Sequence, residues 1–219
     1  MISITIPAVS QKFYSDSDVK FIRDTLLKAK NQYGKVIDYY AKLFNVPPEL
    51  VYALIYIESA GNSSLISSAG AIGLLQITIP TAEDIFADTI MGRFIKSNAE
   101  LKKELMRLFP DKAQCLLTKA YAGQKNCGIS SQDLLDPDKN LFIGIAIISY
   151  LLTKYNNRLD ALVIAYNKLG LFAKVKVGLT PEDTLKIETV KETRDYIAKL
   201  LGPNGTLSIA LFLKEKGLL

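Results

Sequence analysis

Glu58 is the residue in this sequence best placed to do acid chemistry. It stands where an almost wholly apolar run, Leu50 to Ile57, gives way to a polar loop with Gly61, Asn62, four serines and Gly70. A carboxylic acid at such a boundary holds its proton longer than one in water, because its charged form loses hydration next to apolar side chains. That is the condition a general acid needs. A rise of ~2 units over the free Glu value costs about 2.7 kcal/mol of differential solvation, which a mostly apolar pocket supplies. After Glu58 no acidic residue follows until Glu83. The chain has no histidine at all, which removes Ser-His-Asp triads, Cys-His dyads and the usual zinc sites. Gly70 and Gly73 read as backbone-geometry residues, since no Gly-Lys-Ser/Thr follows to make a phosphate loop.

The elements that must position Glu58 are helical. Residues 1–15 alternate weakly before Pro7, at Ile2, Ile4 and Ile6, and read as an extended arm. From Ser17 or Asp18 the spacing Val19, Ile22, Leu26, Ala29 predicts a helix that Gly34 breaks, followed by a second from Lys35 to Phe44. Pro48 suits the first position of the next helix, which reaches Glu58 with hardly any polar face and must be enclosed by others. Pro80-Thr81-Ala82 predicts another start. Residues 83–135 show short patterns, Leu101 to Leu108 and Ala113 to Tyr121, and read as an elaboration on the main body. Asp136-Pro137 is an N-cap and first helical residue before an apolar run to Leu152, a second central helix. Asn157 can cap the helix that carries Leu159, Leu162, Val163 and Tyr166 on one face, with Gly170 as its stop. Val190 to Leu201 and Thr206 to Leu213 complete an all-α pattern, and the last of these is expected to pack on the domain.

The 219 residues are enough for one full core, and half of them are hydrophobic. A net charge of +5 is spread among acidic residues, so nucleic acid is not indicated and an anionic matrix is equally compatible. Cys115 and Cys127 are read either as one bridge in an oxidising setting or as two small buried thiols; their spacing does not decide. The N-terminus does not read as a signal peptide, and the longest apolar run, Leu141 to Leu152, is too short to span a bilayer.

Four segments together carry a family resemblance. Ile57-Glu58-Ser59-Ala60-Gly61-Asn62, then Ser67 to Gln76 (SSAGAIGLLQ) with Pro80-Thr81-Ala82, then Ala165-Tyr166-Asn167, then Glu192-Thr193-Arg194-Asp195-Tyr196-Ile197 resemble the motifs of the soluble lytic transglycosylases. That family cleaves peptidoglycan glycan strands on a lysozyme-like α-fold. Ser63 stands where the family usually has Pro, Leu75 where it often has Met, and Lys168 where a small residue commonly follows Tyr-Asn. None of these removes a group the chemistry needs.

The resemblance implies a mechanism with one carboxylate, although breaking a glycosidic bond ordinarily takes two. Glu58 first protonates the glycosidic oxygen while the substrate's own N-acetyl group stabilises the cation at C1. As carboxylate it then takes the C6 hydroxyl proton, and the sugar closes to a 1,6-anhydro ring. By position, Ser67 and Gln76 hold the N-acetyl and sugar hydroxyls, Tyr166 meets the reacting sugar, Asn167 bonds loop or substrate, and Glu192 lines the groove. Ser59 reads as a cap of helix or loop. No cofactor or metal is called for.

The expected organisation is an arm and helix over 1–34, a lysozyme-like catalytic domain over 35–202 with an insertion at about 83–135, and a helical tail over 203–219. Action at the cell wall on peptidoglycan follows, without a transmembrane segment. Without a signal peptide the chain fits a virion component, a lysis protein released from the cytoplasm, or one exported by another route, with the N-terminal helix and the tail free to meet other virion or envelope proteins. The rivals are a goose-type hydrolytic lysozyme using Asp84 or Asp88 as second carboxylate, and an inactive wall-binding protein on the same fold.

Overall fold

Ser15 opens the first helix with a capping box: its hydroxyl accepts from the Asp18 amide, and its own amide donates to the Asp18 carboxylate at 2.9 Å. The computed structural model describes residues 13–119, 126–167 and 191–219, and of Glu192 only the backbone. Helix α1 (Asp16–Leu43) runs for 28 residues straight through Gly34. The predicted break there is corrected. A helical glycine costs up to about 1 kcal/mol against alanine, but Gly34 is buried where α1 meets α2 (Pro48–Ser59). A Cβ at this point would lie 2.9 Å from the Lys30 side chain and 3.4 Å from the Tyr52 hydroxyl, so close approach of the two helices outweighs propensity. The boundary expected between residues 34 and 35 therefore falls inside one helix.

Helix α2 is the centre of the molecule. Its Leu50 to Ile55 are entirely or almost entirely buried, as their unbroken apolar character requires. The other central helix, α8 (Pro137–Lys154), starts at Asp136, whose carboxylate accepts from the Asp138 and Lys139 amides, and it buries every residue from Asn140 to Leu152. Around these lie α9 (Leu159–Asn167), α10 (Lys191–Leu201) and α11 (Thr206–Glu215). Helix α11 lays Leu207, Ile209, Ala210 and Leu213 inward against α2 and α1, and Lys214 pairs with the buried Glu49 at 2.5 Å. The tail is part of the core, as its pattern predicts. The stretch Thr193–Glu215 is long and apolar enough to cross a membrane by length and composition, yet 61% of its most apolar window is buried in the protein.

After α3 (Ile79–Asp84), which carries the Pro80-Thr81-Ala82 segment, the expected insertion at about 83–135 holds α4 (Met91–Ser97), α5 (Ala99–Leu108), α6 (Ala113–Thr118) and α7 (Ser131–Leu135). Tyr121, expected to close α6, lies outside the described residues. Cys115 and Cys127 are joined in a disulfide, which settles the alternative left open by their spacing. Beneath it, Glu83 and Lys119 form an ion pair at 2.9 Å with both side chains only 1% exposed. Nearby, Asp133 takes Lys112 and Lys139, and both ammonium groups hold its carboxyl well below the usual range against the opposing effect of burial. The loop after α2 holds two isolated antiparallel bridges, Ile66 with Ile72 and Ile72 with Ile77.

Candidate active site

The apolar run of α2 stops at Ala60, which adopts a left-handed conformation (φ 49°) and turns the chain into the loop. Glu58 thus occupies the last turn of a core helix. It is partly exposed by residue, but its carboxyl is closely surrounded, and burial pushes it up to about 7 from the ordinary 4.5. A hydrogen bond from the Tyr196 hydroxyl to Glu58 Oε1 opposes that rise without cancelling it. The Tyr196 hydroxyl is in turn raised well above its usual value by burial and by the neighbouring Glu58 charge. Among the described residues, no second carboxylate contributes to the state of Glu58. A carboxyl raised toward neutral pH can both give a proton and, once ionised, accept one there.

The loop after Glu58 returns against α2 as a tight turn, and side chains hold its carbonyls. Ser59 places its hydroxyl 2.9 Å from the Leu74 carbonyl and 3.1 Å from that of Ile55, so its single proton ties loop to helix. Gln76, 5% exposed, donates its amide hydrogens to the carbonyls of Gly73 (3.0 Å) and Leu65 (3.1 Å). Tyr166 is fully buried, and its hydroxyl donates to the Leu75 carbonyl at 2.9 Å. Burial and the nearby Glu58 charge raise its hydroxyl well above the usual phenol value. Ser67 closes the outer part of the loop, accepting from the Ala71 amide at 3.0 Å while its own amide meets the Ala71 carbonyl at 2.8 Å.

The residues expected at the site thus fall into three groups. Glu58 and Tyr166 come near each other at the end of α2, where the Glu58 charge helps raise the Tyr166 hydroxyl. Gln76 and Ser67 belong to the same loop, with their described hydrogen bonds directed at its own backbone. Asn167 ends α9, half-buried. Glu192 stands in the first turn of α10, and its side chain lies outside the described residues. What the sequence reading passed over is Tyr196, used there only to recognise the last motif. Its signal was present: Tyr196 follows Glu192 by four residues and so shares its helix face. Of the alternative second carboxylates, Asp88 accepts from the Ile90 and Met91 amides at the start of α4.

Fold and site together define an all-α protein whose acid group sits at the end of a core helix over a clamped glycine loop. The family model of the transglycosylase SLT domain matches residues 35–103 and 104–183, and the chain belongs to that family. It is 30% identical over 125 residues to the endo-type membrane-bound lytic murein transglycosylase A of Cronobacter sakazakii, a match covering 57% of this chain and 45% of that protein. Against the membrane-bound lytic murein transglycosylase E of Buchnera aphidicola it is 39% identical over 51 residues, 23% of this chain and 24% of the relative. The matches therefore span less than half the length of these curated relatives. Among solved structures, an inactive mutant of the lytic transglycosylase Slt from Pseudomonas aeruginosa aligns with 85% of this chain and 25% of its own, at a TM-score of 0.48 and 20% identity.

Proposed function

We propose that this chain is a peptidoglycan lytic transglycosylase that cleaves the β-1,4 bond between N-acetylmuramic acid and N-acetylglucosamine and leaves 1,6-anhydro ends. The observation that carries this reading is the Glu58 carboxyl, pushed up to about 7 by burial at the end of α2. In the first step Glu58 donates its proton to the glycosidic oxygen, and the C1–O bond breaks as the substrate's N-acetyl oxygen closes on C1. In the second, the Glu58 carboxylate removes the C6 hydroxyl proton, and O6 displaces the N-acetyl oxygen from C1. The proton count closes with no water consumed. A pKa near the working pH serves both steps, since one group must be acid and then base.

Tyr196 keeps the Glu58 oxygen aimed and tempers its affinity for the proton. Gln76 and Tyr166 shape the loop that receives the N-acetyl sugar, Ser67 sets the loop's outer curve, and Asn167 and Glu192 flank the groove. The site of action is the cell wall, and the Cys115–Cys127 bridge suits a chain that works in an oxidising compartment.

Digestion of purified sacculi followed by mass spectrometry tests the reading. Transglycosylation releases fragments one water lighter than hydrolysis does. Hydrolytic ends would replace it with a lysozyme mechanism, and binding to sacculi without any release would replace it with a wall-binding role.

A further inference from the structure

Asn140 sits in the first turn of α8 and is 0% exposed. Both ends of its carboxamide are in use. Its Oδ1 accepts from the Leu75 amide at 2.9 Å, and its Nδ2 donates to the carbonyls of Ile72 (2.9 Å) and Leu134 (2.8 Å). Two acceptors on one side and a donor on the other leave a single orientation for the group. One side chain therefore joins three elements: the start of α8, the end of α7 and the glycine loop beside Glu58.

The loop is built around this contact. Gly73 has φ +79°, and a Cβ there would fall 2.3 Å from Asn140 Nδ2 and 2.5 Å from the Leu134 carbonyl, so only glycine lets the loop reach the amide. Leu75 is held at both of its backbone groups, the N–H by Asn140 and the carbonyl by Tyr166. The carbonyl before it, of Leu74, is held by Ser59, the residue next to Glu58. Backbone bonds of Ile72 with Ile77, of Gly73 to the Leu65 carbonyl (2.8 Å) and of Ser67 to the Ala71 carbonyl (2.8 Å) close the loop on itself, and these side chains tie it to α2, α7, α8 and α9.

We infer that Asn140 is a positioning residue for the Glu58 reaction, acting through Leu75 and Ile72 to hold the loop against the end of α2 and never touching the sugar. The inference rests on the role proposed above for Glu58. Removing the carboxamide orphans the Leu75 amide and the Leu134 carbonyl in the interior, and the loop must move to rehydrate them. Ser59 and Tyr166 move with it, and the Glu58 carboxyl loses its alignment to the bond it protonates. Misplacement by about 1 Å costs such a reaction about 10²-fold.

Two full-length variants test this. Asn140→Ala removes the group, and Asn140→Asp keeps its shape and acceptor but loses both N–H donors. In Asn140→Ala the Leu75 amide should exchange with solvent at least about tenfold faster than in wild type, while kcat falls about tenfold or more and KM stays within about twofold. In Asn140→Asp the activity relative to wild type should recover as pH falls, because the protonated acid regains one donor for Ile72 or Leu134. Unchanged Leu75 exchange in Asn140→Ala would overturn the clamp. A kcat that drops only in proportion to the folded fraction seen by circular dichroism, with no acid recovery in Asn140→Asp, would reduce Asn140 to a fold residue. A wild type that releases no glycan product would overturn the Glu58 reading instead, and Leu75 exchange, which needs no substrate, tells the two failures apart.

Discussion

Two partly or wholly buried glutamates in this protein are driven in opposite directions. Glu58, at the end of α2, has the Tyr196 hydroxyl as its described hydrogen-bond partner, and burial carries its carboxyl up to about 7. Glu83, at the end of α3, is buried as a residue, and burial pushes its carboxyl upward too. Yet Lys119 and the amides of Cys127 and Ile129 outweigh that effect and leave Glu83 below its ordinary value. Burial alone thus does not make a general acid. The number and charge of the donors around the carboxylate decide whether the pocket stores a proton or fixes an anion. In the function proposed above the first glutamate does the chemistry, while the second holds Lys119 and the amides of Cys127 and Ile129 together.

That contrast breaks most visibly at Glu58. Glu58→Gln should lower glycan release from sacculi by about 10³-fold while leaving the fold intact, since it removes the acid and keeps the shape. Retained release would remove Glu58 from the chemistry. At the second glutamate the loss should appear in stability. Lys119→Met leaves Glu83 as an unpaired buried charge and should cost about 3–5 kcal/mol in chemical denaturation. Lys119→Met combined with Glu83→Gln should recover part of it. A Lys119→Met protein as stable as wild type would show that Glu83 is satisfied by its amides alone.

The two sites should also pull stability in opposite directions with pH. The Glu58 pKa is raised on folding, so its contribution is full below about 4.5 and is lost as pH rises through about 7. Above that pH, Glu58→Gln should be more stable than wild type, by up to about 3 kcal/mol. The Glu83 pKa is lowered, so its contribution is present above the usual carboxylate range and lost as pH falls below it. Denaturation curves of wild type and Glu58→Gln at acid and alkaline pH check both signs. The smallest effect belongs to Tyr196→Phe. It removes the bond that favours the Glu58 anion, so the alkaline limb of the activity profile should move upward, with kcat at neutral pH within about tenfold of wild type. A downward move would mean that Tyr196 does not favour the anion.

How far the sequence discloses this differs between the two regions. The apolar run ending in Glu58 and the cap at Asp136 are local patterns that appear in the structure where the residues predict them, and α2 runs one residue past Glu58 before Ala60 ends it. The family motifs also mark the loop. What local pattern does not reveal is contact across distance. Gly34 reads as a helix breaker because its partner, Tyr52 on α2, is 18 positions away. The partners of Glu83 lie 36 to 46 residues along the chain, so the elaboration reads as a set of unrelated short helices. Asn140 is invisible for the same reason, since it acts on a loop 65 residues away, and Tyr196 discloses its helix face beside Glu192 but not its bond to Glu58, 138 positions back. Gln76 and Ser67 could be placed at the loop from sequence, but their backbone partners follow from the turn's three-dimensional closure.

The direct measurement is a pH titration of the glutamate carboxyl carbons by NMR in isotope-labelled wild-type protein, with Glu58→Gln and Glu83→Gln to assign the signals. One carboxyl should titrate near 7 and vanish in Glu58→Gln, and another should titrate below the ordinary Glu value and vanish in Glu83→Gln. A Glu58 signal that titrates at or below 4.5 would contradict the reading of Glu58 as the acid, because a carboxyl ionised throughout the neutral range has no proton to give.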